Sequence, residues 1–356
     1  MVSHLRDELP YLSGKKLLIT GGAGFLGHYL TQTILHWNTK NNLNESIQLT
    51  VYDNYSRGIP TWLTQFEKNP TLHLIRHDIR DPLPHNIDDF QYIIHAASIA
   101  SPVYYRMHPI ETMDANTHGL RTLLEYCRHQ KEKHKPVAGF LYFSSSEIYG
   151  DPSPEHIPTP ENYPGHVSCT GPRACYDESK RYGETLCVNF ARQYDLPIKM
   201  VRPFNNYGPG LAITDGRVLS DFARDVLACQ DIVMFSDGSP RRTFCYVADA
   251  VIGYYKVLVA GRRGEAYNIG VEAPELSIKE LAERVARLAR GVWGYTGKVV
   301  HQRSPEQDYL TDNPNRRCPC IAKARTELGY SPAITLDEGL KRSLLWYHDT
   351  AKRVEA

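Results

Sequence analysis

Seven residues near the amino end constrain this chain more than any others. Gly21-Gly22-Ala23-Gly24-Phe25-Leu26-Gly27 follows the short apolar run from Lys16 to Thr20 and opens a series at helical spacing: Phe25, Leu26, Tyr29, Leu30, Ile34 and Leu35. Strand, glycine turn and helix in that order form a phosphate cradle. The turn needs backbone angles closed to residues with a Cβ, and a pyrophosphate must approach N–H groups at the helix N-terminus. Gly21 and Gly24 suit the turn, while Gly27 lets the helix lie close to its strand. The stretch predicts a dinucleotide site.

The rest of the chain repeats the alternation. A polar loop at 38–46 leads to a strand from Ile47 to Tyr52, and further short apolar runs follow at 72–75, 92–95, 140–144, 198–202 and 266–269. Helical stretches separate most of them, notably 114–130, 177–194 and 218–229. Such alternation predicts an α/β fold, a parallel sheet covered on both faces. Pro and Gly crowd 151–172, 202–210 and 235–242, where such folds place ligand loops. With helices expected at 277–290 and 335–352, the chain divides into a dinucleotide-binding domain at 1–202, to which 243–270 returns, and a substrate lobe made of 203–242 and 271–356. A chain of 356 residues is long enough for both.

Charge narrows the class. With 41 Lys plus Arg against 40 Asp plus Glu, the chain lacks the basic excess that nucleic acid or a membrane surface demands. It has no apolar run of about 18 residues and no apolar signal segment at its start, so neither a membrane span nor secretion is expected. Eight cysteines are too sparse for a disulfide scaffold, and Cys318 and Cys320 lack the second pair a zinc site needs. Reduced thiols, no metal and a cytoplasmic location are the expectation.

Several residues carry chemistry. Asp53 ends the second strand, where a carboxylate accepts the adenosine ribose hydroxyls and repels a 2′-phosphate, favouring NAD over NADP, although Arg57 nearby pulls the other way. Asn54, then Asp78-Ile79, and then Ala96-Ala97-Ser98 after His95 stand at strand ends that can line the adenine and the phosphates. Tyr176 and Lys180 lie four apart at the start of a helix, on one face. A tyrosine with its usual pKa near 10 is a poor base at neutral pH, and a neighbouring ammonium favours the phenolate. Ser145, at the end of the strand reading FLYF, can hydrogen-bond the same substrate hydroxyl. The three form a proton acceptor for alcohol oxidation beside a hydride acceptor.

These motifs, with SSSEIYG (144–150), YDESK (176–180), RPFNNYGP (202–209), DGR (215–217) and RRTFCYVAD (241–249), resemble the extended short-chain dehydrogenases/reductases of the NAD-dependent epimerase/dehydratase type. The resemblance spans about 15–347. Within that group it is strongest to the UDP-glucuronic acid decarboxylases (UDP-xylose synthases), through SEIYGDP (146–152), YPGHVSCTGPRACYDESKR (163–181), NNYGPGLAITDGRVLSDF (205–222) and SPRRTFCYVAD (239–249). It implies a Rossmann-type doubly wound parallel sheet with a smaller C-terminal substrate-binding lobe, NAD as cofactor, and a UDP-sugar substrate. A homodimer through the helices near 114–130 and 177–194 is also implied.

Members of the group oxidise the sugar's 4-hydroxyl and differ in what the ketone then permits. A 4,6-dehydratase places Asp then Glu after its catalytic Ser or Thr. Here Ser146 and Glu147 follow Ser145, so the leaving-group acid is missing. A 4-epimerase needs neither residue. A decarboxylase needs no such acid, because a 4-keto glucuronate is a β-keto acid, but must manage an enolate and a proton at carbon 5. By resemblance Glu147 and Arg242 serve that step, with Arg242 as a diphosphate clamp the competing role. Tyr105 and Arg106 are the candidates for the sugar carboxylate, and Asn205, Arg217 and Arg242 for the nucleotide diphosphate. Departures are Ser145 for a frequent threonine, the long loop at 38–46, and Cys320 where Asp often stands. Epimerisation, release of a 4-keto pentose, and a silent NAD-binding regulator stay open as rivals.

Overall fold

A computed structural model describes residues 1–42, 44–66, 68–305 and 310–355. Six strands, β1 (Lys16–Thr20), β2 (Gln48–Asp53), β3 (Leu72–Arg76), β4 (Tyr92–His95), β5 (Gly139–Phe143) and β6 (Ile198–Pro203), join the strand Ala266–Ile269 in one parallel sheet. The order across it is Ala266–Ile269, β6, β5, β4, β1, β2, β3. The chain therefore leaves β1 outward through β2 and β3, then crosses back to β4. A crevice opens at the carboxyl ends where that order reverses.

Side-chain alternation puts Leu17 and Ile19 of β1 into one core, with the helices Phe25–Asn38 and Val247–Ala260. Leu18 points into the other, with the helices Leu120–Glu132 and Ala174–Gln193. Both faces are covered, and the runs read from sequence as strands are strands. One helix differs. Where 114–130 was expected to be a single element, Pro109–Asp114 passes through a wide π turn at Ala115–Gly119 into Leu120–Glu132. Pro109 sets the earlier start. The wide turn sits where a Cβ on Gly119 would come within 2.9 Å of the Ile79 carbonyl, and there Asn116 donates to Ser179 Oγ at 2.9 Å.

A third core joins Phe222 and Val226 of the helix Val218–Leu227, Leu281 and Val285 of Ile278–Trp293, and Leu340 and Tyr347 of Leu336–Glu355. Ser277 and Glu280 form a reciprocal cap at the start of Ile278–Trp293, and Gly294 ends it in the left-handed region. Residues of the expected lobe do not all gather here: Ile321, Ala324, Leu328 and Tyr330 pack into the sheet-side core. Leu43 of the polar loop, and 306–309 and 356 of the lobe, lie outside the described residues. All eight cysteines are free thiols. No helix among the described residues is long and apolar enough to cross a membrane.

Candidate active site

A cavity of about 760 Å³ occupies the crevice, within the usual range for a small-molecule site. Its floor is the glycine turn. Gly21 has φ +74°, and a Cβ on it would lie 2.7 Å from the Ala97 Cα, while a Cβ on Gly27 would lie 2.3 Å from the Gly21 carbonyl oxygen. Gly24 caps the following helix without a side chain, so the N–H groups of its first turn face the cavity unscreened. Asp53 is fixed at the end of β2 by the N–H groups of Ala23 (3.0 Å) and Tyr55 (2.8 Å). Burial raises its pKa, and those two donors oppose the rise. Asn54 and Arg80 both hydrogen-bond Asp78. Ile79 and Ala96 complete this wall, and Ser98 Oγ is buried there with no partner among the described residues. Backbone donors, a fixed carboxylate and an orphaned hydroxyl fit a bound dinucleotide.

The proton-handling groups stand on the opposite wall. Tyr176 and Lys180 enter from the first turns of Ala174–Gln193, Ser145 from the end of β5, and all three are buried. Burial pushes the Tyr176 phenol up to about 12, against a hydrogen bond from Ser145 and the charge of Arg217. Burial also pushes the Lys180 ammonium down to about 7, and its Nζ donates to the Phe143 carbonyl at 2.8 Å. Nζ lies 5.7 Å from the centre of the Tyr176 ring. Tyr105 stacks on that ring at 5.1 Å, its own hydroxyl buried and unpartnered among the described residues.

Glu147 is the most heavily paired carboxylate of the site. Its carboxylate is gripped by Arg173 and by both terminal nitrogens of Arg317, the Arg317 Nη2 bond measuring 2.7 Å. Burial would raise its pKa, but Arg173 and then Arg317 outweigh it and hold the carboxyl well below the usual carboxylate range. Arg242, read from sequence as serving the same step, turns to the carbonyls of Arg241 and Asn315, at 2.8 and 3.1 Å, and to that of Pro314. The reason is pairing: the two-residue strands Arg241–Arg242 and Arg316–Arg317 run side by side, so Arg242 fixes the segment carrying Arg317. Asp177 adds a buried carboxyl, its Oδ2 3.8 Å from Arg173 Nε.

Arg106 lies half-buried at 6.0 Å from the Tyr105 ring centre, and Asn205, at φ +39°, donates to the Thr243 carbonyl. Arg217 Nε is 3.1 Å from Asp215 Oδ1. Every site residue read from the sequence lines this cavity, Ser146 and Leu26 included. Arg173, Arg317, Asp177 and Asp215 were missed as site residues. Arg173 lay in plain view three positions before Tyr176, whereas Arg317 had no local signal beyond its doubled arginine.

The family model described as NAD dependent epimerase/dehydratase matches residues 17–270. The chain is 36% identical over 340 residues to UDP-glucuronic acid decarboxylase 6 of Arabidopsis thaliana, covering 96% of this chain and 91% of that one. It is 34% identical to UDP-glucuronic acid decarboxylase 1 of Xenopus tropicalis, covering 94% and 72%. In fold it is similar to the dTDP-glucose 4,6-dehydratase DesIV of Streptomyces venezuelae, solved with NAD bound: TM-score 0.79, 24% identity, covering 95% and 98%.

Proposed function

The chain belongs to the NAD dependent epimerase/dehydratase family, and on that premise we propose that it converts UDP-glucuronate to UDP-xylose and carbon dioxide. What NAD supplies when bound, held by the Gly21–Gly27 turn and Asp53, is a reversible hydride acceptor for carbon 4 of the sugar. Tyr176 Oη takes the proton of the 4-hydroxyl, Ser145 orients that hydroxyl, and Lys180 in its charged form favours the phenolate. The ketone so formed is β to the carboxylate. The bond from carbon 5 to the carboxylate breaks, its electron pair passes to the ketone oxygen, and carbon dioxide leaves. Ser145 and Tyr176 donate to the resulting enolate oxygen, carbon 5 takes a proton from solvent in place of the lost carboxylate, and as carbon 4 is reduced again Tyr176 gives its proton back to the 4-oxygen.

One observation carries the choice of substrate: three buried guanidiniums, Arg173, Arg242 and Arg317, stand together against two carboxyls, Glu147, which pairs with Arg173 and Arg317, and Asp177, which burial pushes up to about 8. Such an excess of buried cation calls for an anion, which a uronate brings and a neutral hexose does not. Glu147, held ionised, orders Arg173 and Arg317 beside the carbon-5 side of the sugar, and Arg242 braces Arg317. Tyr105 and Arg106 flank the sugar carboxylate; Asn205 and Arg217 take the diphosphate. Ser146 in place of an aspartate disfavours dehydration. The test is incubation of the purified protein with UDP-glucuronate and NAD: carbon dioxide and a xylose anomeric signal by NMR support the proposal, and UDP-galacturonate with no gas evolved overturns it.

The enzyme works as a homodimer in the cytoplasm. Exposed Ile110, Met113 and Tyr182 on neighbouring helices support the first, and the free thiols suit the second. A monomer mass in sedimentation would remove the dimer.

A further inference from the structure

Asp215 lies at the junction of both ligand ends of the cavity. Its carboxylate is buried, and two guanidiniums divide it. Arg57 Nη1 donates to Oδ2 at 3.0 Å, and Arg217 Nε stands 3.1 Å from Oδ1 without the alignment of a hydrogen bond. Ser101 Oγ donates to the Asp215 carbonyl at 2.6 Å, and Arg217 Nη2 to that of Ala100 at 3.3 Å. Arg57 reaches across from the loop after β2, its guanidinium 4.6 Å from the centre of the Tyr104 ring. That loop begins at Asp53, which receives the N–H groups of Ala23 in the glycine turn and of Tyr55 in the left-handed region. An unbroken line of bonds thus runs from the glycine turn through Asp53 and the Arg57 loop to Asp215 and Arg217.

The ends of that line belong to different ligands. Arg57 is 43% exposed, so solvent competes for its bond to Asp215. It spans the sheet side and the lobe side of the mouth. We propose that Arg57 is a latch across the cavity: by holding Asp215 it positions Arg217 for the nucleotide diphosphate and couples occupancy of the dinucleotide end to that of the nucleotide-sugar end. This rests on the reading of Arg217 as a diphosphate contact. Arg57 is a positioning residue, acting through Asp215. A nucleotide seated on Arg217 holds the lobe-side loop closed, the latch then holds the Arg57 loop over the dinucleotide, and the converse follows by linkage.

The test measures NAD affinity by titration calorimetry with and without saturating UDP, in the native protein, Arg57→Met and Arg57→Lys. UDP is expected to tighten NAD binding about fivefold or more in the native protein and by less than about twofold in Arg57→Met, with Arg57→Lys restoring most of the coupling. In turnover, Arg57→Met raises the KM for UDP-glucuronate several-fold and leaves kcat nearly unchanged. Equal coupling in native and Arg57→Met overturns the proposal, as does its absence from the native protein. So does an equal loss of NAD affinity in Arg57→Met with and without UDP, which would make Arg57 a direct cofactor contact. Native protein that binds both probes but yields no carbon dioxide from UDP-glucuronate would defeat the decarboxylase reading and leave the latch standing.

Discussion

Around Tyr176 the buried groups are short of charged partners, and around Glu147 they are crowded with them. Lys180, alone among aromatic rings and backbone, is driven by burial toward its neutral form, and Tyr176 is driven away from phenolate. Glu147 stands two residues from Ser145, yet Arg173 and Arg317 hold it ionised against the same desolvation. Depth of burial therefore does not set charge here; the partners within reach do. The difference suits two tasks. Oxidising and reducing carbon 4 needs groups that can change protonation, while holding a uronate through loss of its carboxylate needs charges that stay fixed.

The comparison breaks first, and hardest, at Tyr176. Tyr176→Phe removes the proton acceptor and leaves the Arg–Glu cluster whole, so carbon dioxide release should fall by about 10³-fold or more while UDP affinity by calorimetry stays within about twofold. Glu147→Gln attacks the other side. It leaves Arg173 and Arg317 uncompensated, and because the Glu147 side chain keeps 20% of its exposure, the loss in urea unfolding should be about 2–3 kcal/mol, below the range for a wholly buried pair. Adding Arg317→Met should then cost less than it does alone, by about 1 kcal/mol or more in a double-mutant cycle. Full additivity would mean that the two charges do not sense each other.

Lys180 gives the comparison a pH axis. Its folded-state pKa, about 7, lies below its unfolded value of 10.5. Between those values the unfolded chain binds more protons, so stability rises with pH, by about 1 kcal/mol per unit, and below pH 7 the full penalty is present. Lys199, buried and pushed down to about 8, adds a similar rise over a narrower span. Lys180→Met should remove only the first part, seen as a flatter curve of urea midpoint against pH from 7 to 10. An unchanged slope would mean that Lys180 is charged in the folded chain throughout.

The two halves of the site also differ in how legible they were. Tyr176 and Lys180 share one helix at a spacing that puts them on one face, and the glycine turn announces its own backbone, so local pattern sufficed. Arg317 lies 170 residues from Glu147 and arrives through a pair of two-residue strands, too short to carry any apolar period. The bond from Arg57 to Asp215 spans 158 residues between two loops. The sheet was legible for the same reason as the turn: every strand but the edge strand β3 is a short, mostly buried run with clear ends. The π turn at Ala115–Gly119 was not, because what demands it is the approach of Ile79 and Ser179 rather than anything in its own residues.

Ser145 joins the halves, and there the smallest effects should be measured. Its Oγ accepts the Glu147 N–H at 3.1 Å, capping the short turn Ser146–Tyr149, and the same hydroxyl eases the Tyr176 phenol toward its ionised form. One oxygen thus serves both regions, as acceptor of the turn's N–H and as a polar neighbour of the phenol. Ser145→Ala loses both roles: about 1 kcal/mol of stability through the cap, and turnover reduced by about tenfold or more through the phenol. Ser145→Thr keeps the oxygen and adds a methyl, so both quantities should stay close to native. If Ser145→Thr lost turnover while keeping its urea midpoint, the serine hydroxyl would be needed in a rotamer that threonine cannot adopt, and the cap and the proton path would be separable after all.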